Sequence, residues 1–171
     1  KMTFNPDFGQ VEADPSVLNL TAFETFYDER RPFFSEGAEF FSQRLSLFHS
    51  RRIGRAPGYN LPEEGELKDA PDYTTILGAT KVMGNTASGI NYGLIGAITA
   101  EESATMVIDS ADVQSVKDIV IEPRTNYTIG RFEVPMINDV SRVGLMVTDV
   151  FRKNNPGATV AGMDWNFGFL D

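Results

Sequence analysis

A cluster of carboxylates surrounds a pair of arginines early in the chain. Its members are Glu24, Asp28, Glu29 and Glu36, and the arginines between them are Arg30 and Arg31. Two carboxylates held about 5–5.5 Å or about 6.5–9.5 Å apart can hydrolyse a glycosidic bond. Guanidinium forks also bind carboxylates in ion-pair networks that fix a loop. We favour the network, because acid and base roles need a geometry that sequence does not supply.

A second acidic group lies nearer the start of the sequence and consists of Asp7, Glu12 and Asp14. Carboxylate oxygens of this kind suit calcium, which takes about 6–8 oxygen ligands. The spacing matches no EF-hand loop, and most of the required ligands are missing. We therefore interpret these side chains as solvated carboxylates and expect no cofactor, with calcium as the alternative.

The basic residues Arg51, Arg52 and Arg55 form one cluster in the sequence. Such a cluster can bind the phosphates of lipopolysaccharide, or a sulfate or uronate on a glycan. We favour a different role, in which it balances the acidic segment 24–39. The neighbouring His49 is the only histidine, and the chain has no Gly-x-Ser-x-Gly elbow to support a serine hydrolase.

The composition of the 171 residues excludes several classes of protein. The absence of cysteine excludes a disulfide scaffold, a thiolate metal site and a thiol nucleophile. There are 24 acidic groups against 15 basic ones, which argues against nucleic-acid binding because phosphate neutralisation needs clustered cations. No apolar run reaches the roughly 18 residues that a membrane-spanning helix needs.

The sequence pattern, and with it the secondary structure expected to position these residues, changes near Tyr73. Residues 1–72 hold most of the 13 phenylalanines and much of the charge, and we expect them to form a loop or a plug. Residues 73–171 alternate between apolar and polar side chains, which predicts β-hairpins. We expect a single β domain over 1–171, and we expect the chain to be a fragment of a longer protein, because the alternation is still running where it stops.

The alternation is clearest in Ile90–Thr99 and Ala161–Phe169, where one face is apolar and the other polar or glycine. Further strands are predicted at 74–83, 116–121, 126–134, 142–151 and 45–50, and a strand or irregular structure at 17–27, with a loop over 56–65. All of this indicates an all-β fold of antiparallel hairpins. We favour an outer-membrane-type β-barrel, or part of one, because the strands are long and glycine is abundant on the presumed lumen face. The alternative is a soluble β-sandwich or open sheet.

Several blocks of sequence resemble a known family in their order and approximate spacing. These blocks are Asn5–Asp14, Phe23–Gly37, Ser50–Pro57 and Thr74–Ala79, and the likeness extends through Asn126-Tyr127 and Ser141-Arg142. They resemble an uncharacterised family of large bacterial surface proteins, in which a family-9-like carbohydrate-binding module precedes a domain of unknown function that looks like an outer-membrane β-barrel. The chain matches the start of that second domain. Sugar binding by the module is therefore not transferred to these residues.

The resemblance and the alternation together predict a non-enzymatic, outer-membrane β-barrel-like protein that handles glycans or other polymers at the bacterial cell surface. Its expected partners are outer-membrane lipid, glycans and other surface or membrane proteins, and not nucleic acid. One alternative is a soluble, secreted or surface module that binds carbohydrate or builds an assembly, with Trp165, Phe167 and Phe169 buried against protein. Another is a glycan-active hydrolase that uses the early carboxylate cluster.

Overall fold

The computed structural model describes residues 1–4, 28–62, 65–110, 113–136 and 140–168 of the chain. Antiparallel strands dominate this part, and its single α-helix is four residues long. The prediction of an all-β fold is therefore confirmed. Within the described residues the strands form two open sheets and no closed barrel.

The strands run in chain order as follows: β1 (Met2–Phe4), β2 (Glu66–Lys68), β3 (Ile76–Asn85), β4 (Asn91–Thr99), β5 (Glu102–Ser110), β6 (Val113–Glu122), β7 (Thr125–Pro135), β8 (Arg142–Arg152) and β9 (Asn155–Asn166). The helical elements are α1 (Pro32–Ser35) and two 3₁₀ turns, Ala38–Phe41 and Ser50–Arg52. The larger sheet has the order β1-β3-β4-β7-β8-β9, and the smaller has the order β2-β5-β6.

The alternating segments of the sequence became strands, and one predicted strand did not form. The predictions at 74–83, 90–99, 116–121, 126–134, 142–151 and 161–169 correspond to β3, β4, β6, β7, β8 and β9. The strand predicted at 45–50 is wrong, because the chain bends there and Ser46 adopts a positive φ of 46°. Leu47 and Phe48 pack against the core from this irregular segment. The prediction at 17–27 lies outside the described residues.

Strands β4 to β7 form one long hairpin that belongs to both sheets. β5 follows β4 after two residues, β7 follows β6 after two residues, and both β4–β7 and β5–β6 are paired. One of the two junctions contains Pro123, which has no N–H to donate to a strand ladder. The hairpin therefore projects beyond the larger sheet, and we call the end of that sheet at Thr99 and Thr125 its upper end.

Residues 28–62, which we call the inner segment, pack across one face of the larger sheet, the inner face. The shared core contains four residues of the segment and six of the sheet: Phe33, Phe34, Phe41, Ile53, Ile76, Ala79, Ile95, Ala97, Ile129 and Met146. Close packing needs a glycine at one point of contact. A Cβ atom on Gly93 would lie 2.7 Å from Phe41 Cζ and 2.8 Å from Phe40 Cε1. The inner face and the inner segment are thus fitted to each other.

The opposite face of the larger sheet, the outer face, carries three apolar rows of side chains in register across the strands. They are the row Val134, Val143 and Trp165; the row Tyr92, Phe132, Leu145 and Met163; and the row Val82, Leu94, Gly130, Val147 and Ala161. Trp165 is 66% exposed, Met163 60% and Phe132 51%. A smaller and more polar row lies above them, formed by Thr80, Gly96, Thr128, Asp149 and Thr159.

Candidate functional site

The larger sheet carries buried charges on its inner face, toward the inner segment, and one charge, Asp149, in the polar row of its outer face. Lys81 on β3 is buried, and its ammonium group donates hydrogen bonds to the backbone carbonyls of Phe33 and Glu36. These carbonyls lie at α1 and just after it, where helical carbonyls lack partners within the helix. Lys81 therefore ties the short helix to the sheet.

A second inward charge, Arg131 on β7, joins two strands and the inner segment. Its guanidinium donates to Asp164 Oδ2 at 2.7 Å and to Glu133 Oε1 at 2.6 Å, and it lies 5.6 Å from the ring centroid of Phe40. Asp164 on β9 also accepts a hydrogen bond from the amide of Gln43. The Arg131 side chain is only 5% exposed, so this is a mostly buried ion cluster. We call these four polar residues, Arg131, Glu133, Asp164 and Gln43, the β7–β9 ion cluster.

A third polar group lies within the inner segment itself and centres on Glu29. Its carboxylate accepts hydrogen bonds from Arg31 Nε at 2.8 Å, from Arg31 Nη2 at 2.7 Å and from the Ser50 hydroxyl at 2.6 Å. Arg31 also donates to the carbonyls of Ile53 and Ser50 at 2.6 and 2.8 Å. The pair therefore holds the start of the inner segment to the turn at residues 50–53.

This environment holds the pKa of Glu29 below its ordinary value of 4.5. Burial alone would raise that pKa, but the hydrogen bonds and positive charge of Arg31, together with the Ser50 hydroxyl, outweigh it. Because the folded-state pKa is the lower one, the ionised carboxylate stabilises the fold above pH 4.5. That stabilisation is lost as the pH falls through the folded-state value.

We expect Glu29→Gln to lower the free energy of unfolding by roughly 1.5 kcal/mol at about pH 7, the lower end for a hydrogen bond to a charged group. The amide keeps one acceptor oxygen but loses the charge that Arg31 faces. Urea unfolding at about pH 7 and about pH 3 measures the effect, and the difference between variant and parent should shrink at the lower pH.

The exposed Glu39 offers a matched control within the same segment. Glu39→Gln makes the same chemical change without touching the Glu29–Arg31 pair, so its unfolding free energy should change by less than about 0.5 kcal/mol. Equal effects of the two substitutions, or a Glu29→Gln effect that does not depend on pH, would contradict the role assigned to the pair.

The carboxylates considered for glycoside hydrolysis are not gathered around a common site in the described part of the chain. Asp28 is exposed, Glu29 binds Arg31, and Glu36 binds Lys1 at the surface. The hydrogen bond and charge of Lys1 hold the pKa of Glu36 below its ordinary value. Glu24 lies outside the described residues, as do the calcium candidates Asp7, Glu12 and Asp14.

The three arginines proposed to bind anions lie at and after the 3₁₀ turn Ser50–Arg52. Arg51 is half-buried, whereas Arg52 and Arg55 are exposed. A guanidinium nitrogen of Arg55 lies 3.8 Å from Glu122 Oε2 on β6. The same carboxylate oxygen accepts the backbone N–H groups of Gly58 and Tyr59 at 3.0 and 2.9 Å. Arg55 therefore lies beside a contact between the inner segment and the smaller sheet.

No group of three or more His, Asp or Glu side chains in the described ranges could hold a metal ion. No helix among those residues is long and apolar enough to cross a membrane.

Sequence reasoning missed the residues that form the inward charges, namely Lys81, Arg131 and Asp164. A partial signal exists in the alternation, because Lys81 lies on the same side of its strand as the small residue Ala79. Arg131 shares its face with Ile129, and Asp164 shares its face with Gly162. The contact between Arg131 and Asp164 depends on strand pairing that links positions 33 residues apart.

Comparison with known proteins places the chain in a family without assigning it a reaction. No curated protein and no solved structure matches it. A family model described as Domain of unknown function (DUF5916) matches residues 1–168, which is nearly the whole sequence. The chain therefore belongs to the DUF5916 family.

Proposed function

We propose that the larger sheet is part of the wall of an outer-membrane β-barrel and that the inner segment packs on its lumen side. The protein would serve as a non-enzymatic surface component that handles glycans or other polar polymers. The observation that carries this proposal is the distribution of polarity between the two faces of the sheet. The buried charges Lys81 and Arg131 face inward, and large apolar side chains face outward below the polar row that contains Asp149.

A soluble sheet normally places its apolar face against a core and its polar face in water. Here Lys81 and Arg131 are buried on the inner face, while Trp165, Met163 and Phe132 are more than half exposed on the outer face. Large contiguous apolar surfaces of this kind mark contact with membranes or other proteins. Barrels in the outer membrane have this polarity, with an apolar exterior and a polar interior.

Strand length and aromatic placement support the same proposal. The five long strands of the larger sheet contain 10, 9, 11, 11 and 12 residues. A tilted transmembrane strand needs about 9–11 residues. Trp165 lies in the lowest apolar row, and Phe151 lies on β8 near the upper end. Aromatic side chains at both borders of an apolar band suit membrane interfaces.

The inner segment and the long hairpin also fit a barrel. Barrels can hold a plug in a polar lumen, and their extracellular connections are longer than the turns at the other end. The inner segment meets buried charges of the sheet at Lys81 and the β7–β9 ion cluster. The β5–β6 hairpin extends past the upper end of the sheet.

The single tryptophan of the chain allows a direct test of the membrane assignment. Trp165 lies in the lowest apolar row and is 66% exposed. In vesicles of brominated phosphatidylcholine its fluorescence should fall strongly relative to vesicles of unbrominated lipid, because bromine quenches only tryptophan that contacts the acyl chains. Its emission should also shift toward the blue as lipid replaces water around the ring.

A relocated tryptophan provides the control. Val116 is 64% exposed on β6, outside the larger sheet. In the double variant Trp165→Phe and Val116→Trp, the new indole should remain in water and escape quenching. Quenching of neither tryptophan, or equal quenching of both, would rule out the assigned membrane face.

The proposed glycan or polymer role follows the resemblance to surface proteins that carry a carbohydrate-binding module. Swelling of vesicles in oligosaccharide solutions measures entry of such molecules through the protein. Swelling no faster than in vesicles without protein would argue against this part of the proposal.

A further inference from the structure

An open groove of about 440 Å³ crosses the outer face near its upper end. Its floor consists of small side chains in two adjacent register rows, chiefly Gly78, Thr80, Gly96 and Thr128. The apolar side chains of Met2, Leu77 and Ile98 also line it. The groove thus interrupts a face whose neighbouring rows carry large side chains, and its surface is mostly apolar.

Among the residues that the structure describes, one cation lines the groove at the upper end. Arg124 lies between β6 and β7, one residue before Thr125, and its side chain is exposed. Its backbone carbonyl accepts a hydrogen bond from the N–H of Lys153 at 3.0 Å. Its guanidinium has no hydrogen-bond or ion-pair partner among the residues that the structure describes. The mostly apolar groove therefore ends at the guanidinium of Arg124, which is placed to bind an anion.

We propose that this groove binds an acyl chain of an anionic glycerophospholipid and that Arg124 binds the lipid phosphate. This inference rests on the proposed membrane location of the outer face. A guanidinium presents paired N–H donors that match two phosphate oxygens. The volume lies within the range of about 300–1,000 Å³ that is usual for small-ligand sites. Small side chains on the floor let the acyl chain approach the backbone closely.

The number of cations selects the kind of lipid. Over the described residues, the groove offers one guanidinium without a partner, which matches a lipid with a single phosphate in its headgroup. A lipid A molecule carries two phosphates and several acyl chains, so it would need more cations and a wider surface. Lys153 belongs to the same end of the sheet but does not line the groove. The geometry therefore favours a phospholipid such as phosphatidylglycerol.

The test uses the full chain in phosphatidylcholine vesicles that contain a small fraction of spin-labelled phosphatidylglycerol. Electron spin resonance separates the motionally restricted lipid at the protein from the bulk lipid. We expect the parent protein to prefer phosphatidylglycerol over equally labelled phosphatidylcholine. Arg124→Gln should reduce that preference about fivefold, the change that one basic residue near an anionic surface supplies.

Lys153→Gln is the charge-matched control, because it removes one positive charge at the same end without altering the groove. It should leave most of the preference intact. If Lys153→Gln and Arg124→Gln reduce the preference equally, the selectivity is a general surface-charge effect and the assigned site is wrong.

A second pair of variants tests the groove independently of charge. A Cβ on Gly96 would lie 3.3 Å from Thr80 Cγ2 inside the groove, whereas a Cβ on Gly130 would meet only Leu94 and Phe132 at 3.9 Å on the same outer face. Gly96→Leu should fill the groove and abolish the preference, and Gly130→Leu should preserve it. Loss in both variants, or in neither, would overturn the inference.

Two further measurements distinguish failure of the groove site from failure of the membrane proposal and of the assigned lipid. Quenching of Trp165 by brominated lipid in the same vesicles reports the membrane location alone. Normal quenching without Arg124-dependent selectivity would reject the groove site and leave the membrane proposal standing, whereas absence of quenching would reject both. Stronger Arg124-dependent binding to spin-labelled lipid A than to phosphatidylglycerol would overturn the assigned occupant.

Discussion

Replacing Arg131 with methionine is expected to lower the free energy of unfolding by about 3 kcal/mol. Removing one partner of a buried ion pair costs about 3–5 kcal/mol, because the other charge remains buried without compensation. We expect the lower end of that range, since the side chains of Asp164 and Glu133 are 33% and 21% exposed and water screens part of the charge. Urea unfolding followed by the fluorescence of Trp165 measures the loss.

The effect should arise from the two carboxylates that the substitution leaves together. Asp164 on β9 and Glu133 on β7 both pair with Gly144 on the strand between them, and the missing side chain of Gly144 leaves room for the ion pair. A Cβ atom there would lie 2.6 Å from Asp164 Oδ1. Combining Arg131→Met with Asp164→Asn should therefore recover part of the lost stability, as a double-mutant cycle would reveal.

Arg142 provides the matched control on the neighbouring strand β8. Its guanidinium donates to the carbonyl of Gly89 at 3.1 Å, which is a single hydrogen bond to a neutral group. Arg142→Met should cost about 1 kcal/mol. A loss as large as that of Arg131→Met, or no recovery in the double variant, would mean that charge pairing in the β7–β9 ion cluster does not hold the sheet to the inner segment.

The alternation of apolar and polar residues predicted the long strands of the larger sheet because each has one face that is apolar over much of its length. It failed for β5, where Met106, Val107 and Ile108 put apolar side chains on both faces in succession. It also misread residues 45–50, whose apolar side chains belong to an irregular segment packed on the core. A local pattern records that a residue is apolar, but not which distant surface will cover it.

The pattern also separated the two faces of each strand without revealing which face meets protein. In β4 the sequence divides Tyr92, Leu94 and Ile98 from Gly93 and Ala97, and the structure buries the second group. The larger apolar side chains of the first group would by themselves have predicted the opposite burial. Which face is covered depends on the inner segment, whose close fit to Gly93 joins residues far apart in the chain and is therefore invisible to local periodicity.

Of the contacts in the candidate site, the sequence predicted only the local one between Glu29 and Arg31. The sequence indicates that Glu29 and Arg31 lie close together, since they are two residues apart. Their partners Ser50 and Ile53 are 19 and 22 residues from Arg31, and their contact depends on how the inner segment folds back. The position of Arg124 beside a groove likewise depends on the register of strands β1, β3, β4 and β7, which local sequence does not show.

Leu145→Arg should have the largest effect that depends on the membrane proposal. Leu145 lies on the outer face between Phe132 and Met163 and is 47% exposed. An arginine on the lipid face of a barrel costs about 2–4 kcal/mol near the bilayer midplane. If the same face were in water, replacing an exposed leucine would change stability by only about 0.5 kcal/mol. The free energy of unfolding from vesicles measures the difference.

Val116→Arg supplies the comparison that makes this result interpretable. Val116 is more exposed than Leu145, but it lies on the β5–β6 hairpin beyond the upper end of the larger sheet. Its substitution should cost about 0.5 kcal/mol or less, because an arginine there stays in water. If Leu145→Arg were as mild as Val116→Arg, the outer face would not contact lipid. A large loss confined to Leu145 would instead mean that the exposed apolar rows are stabilised by acyl chains, since no described residue of this chain covers them.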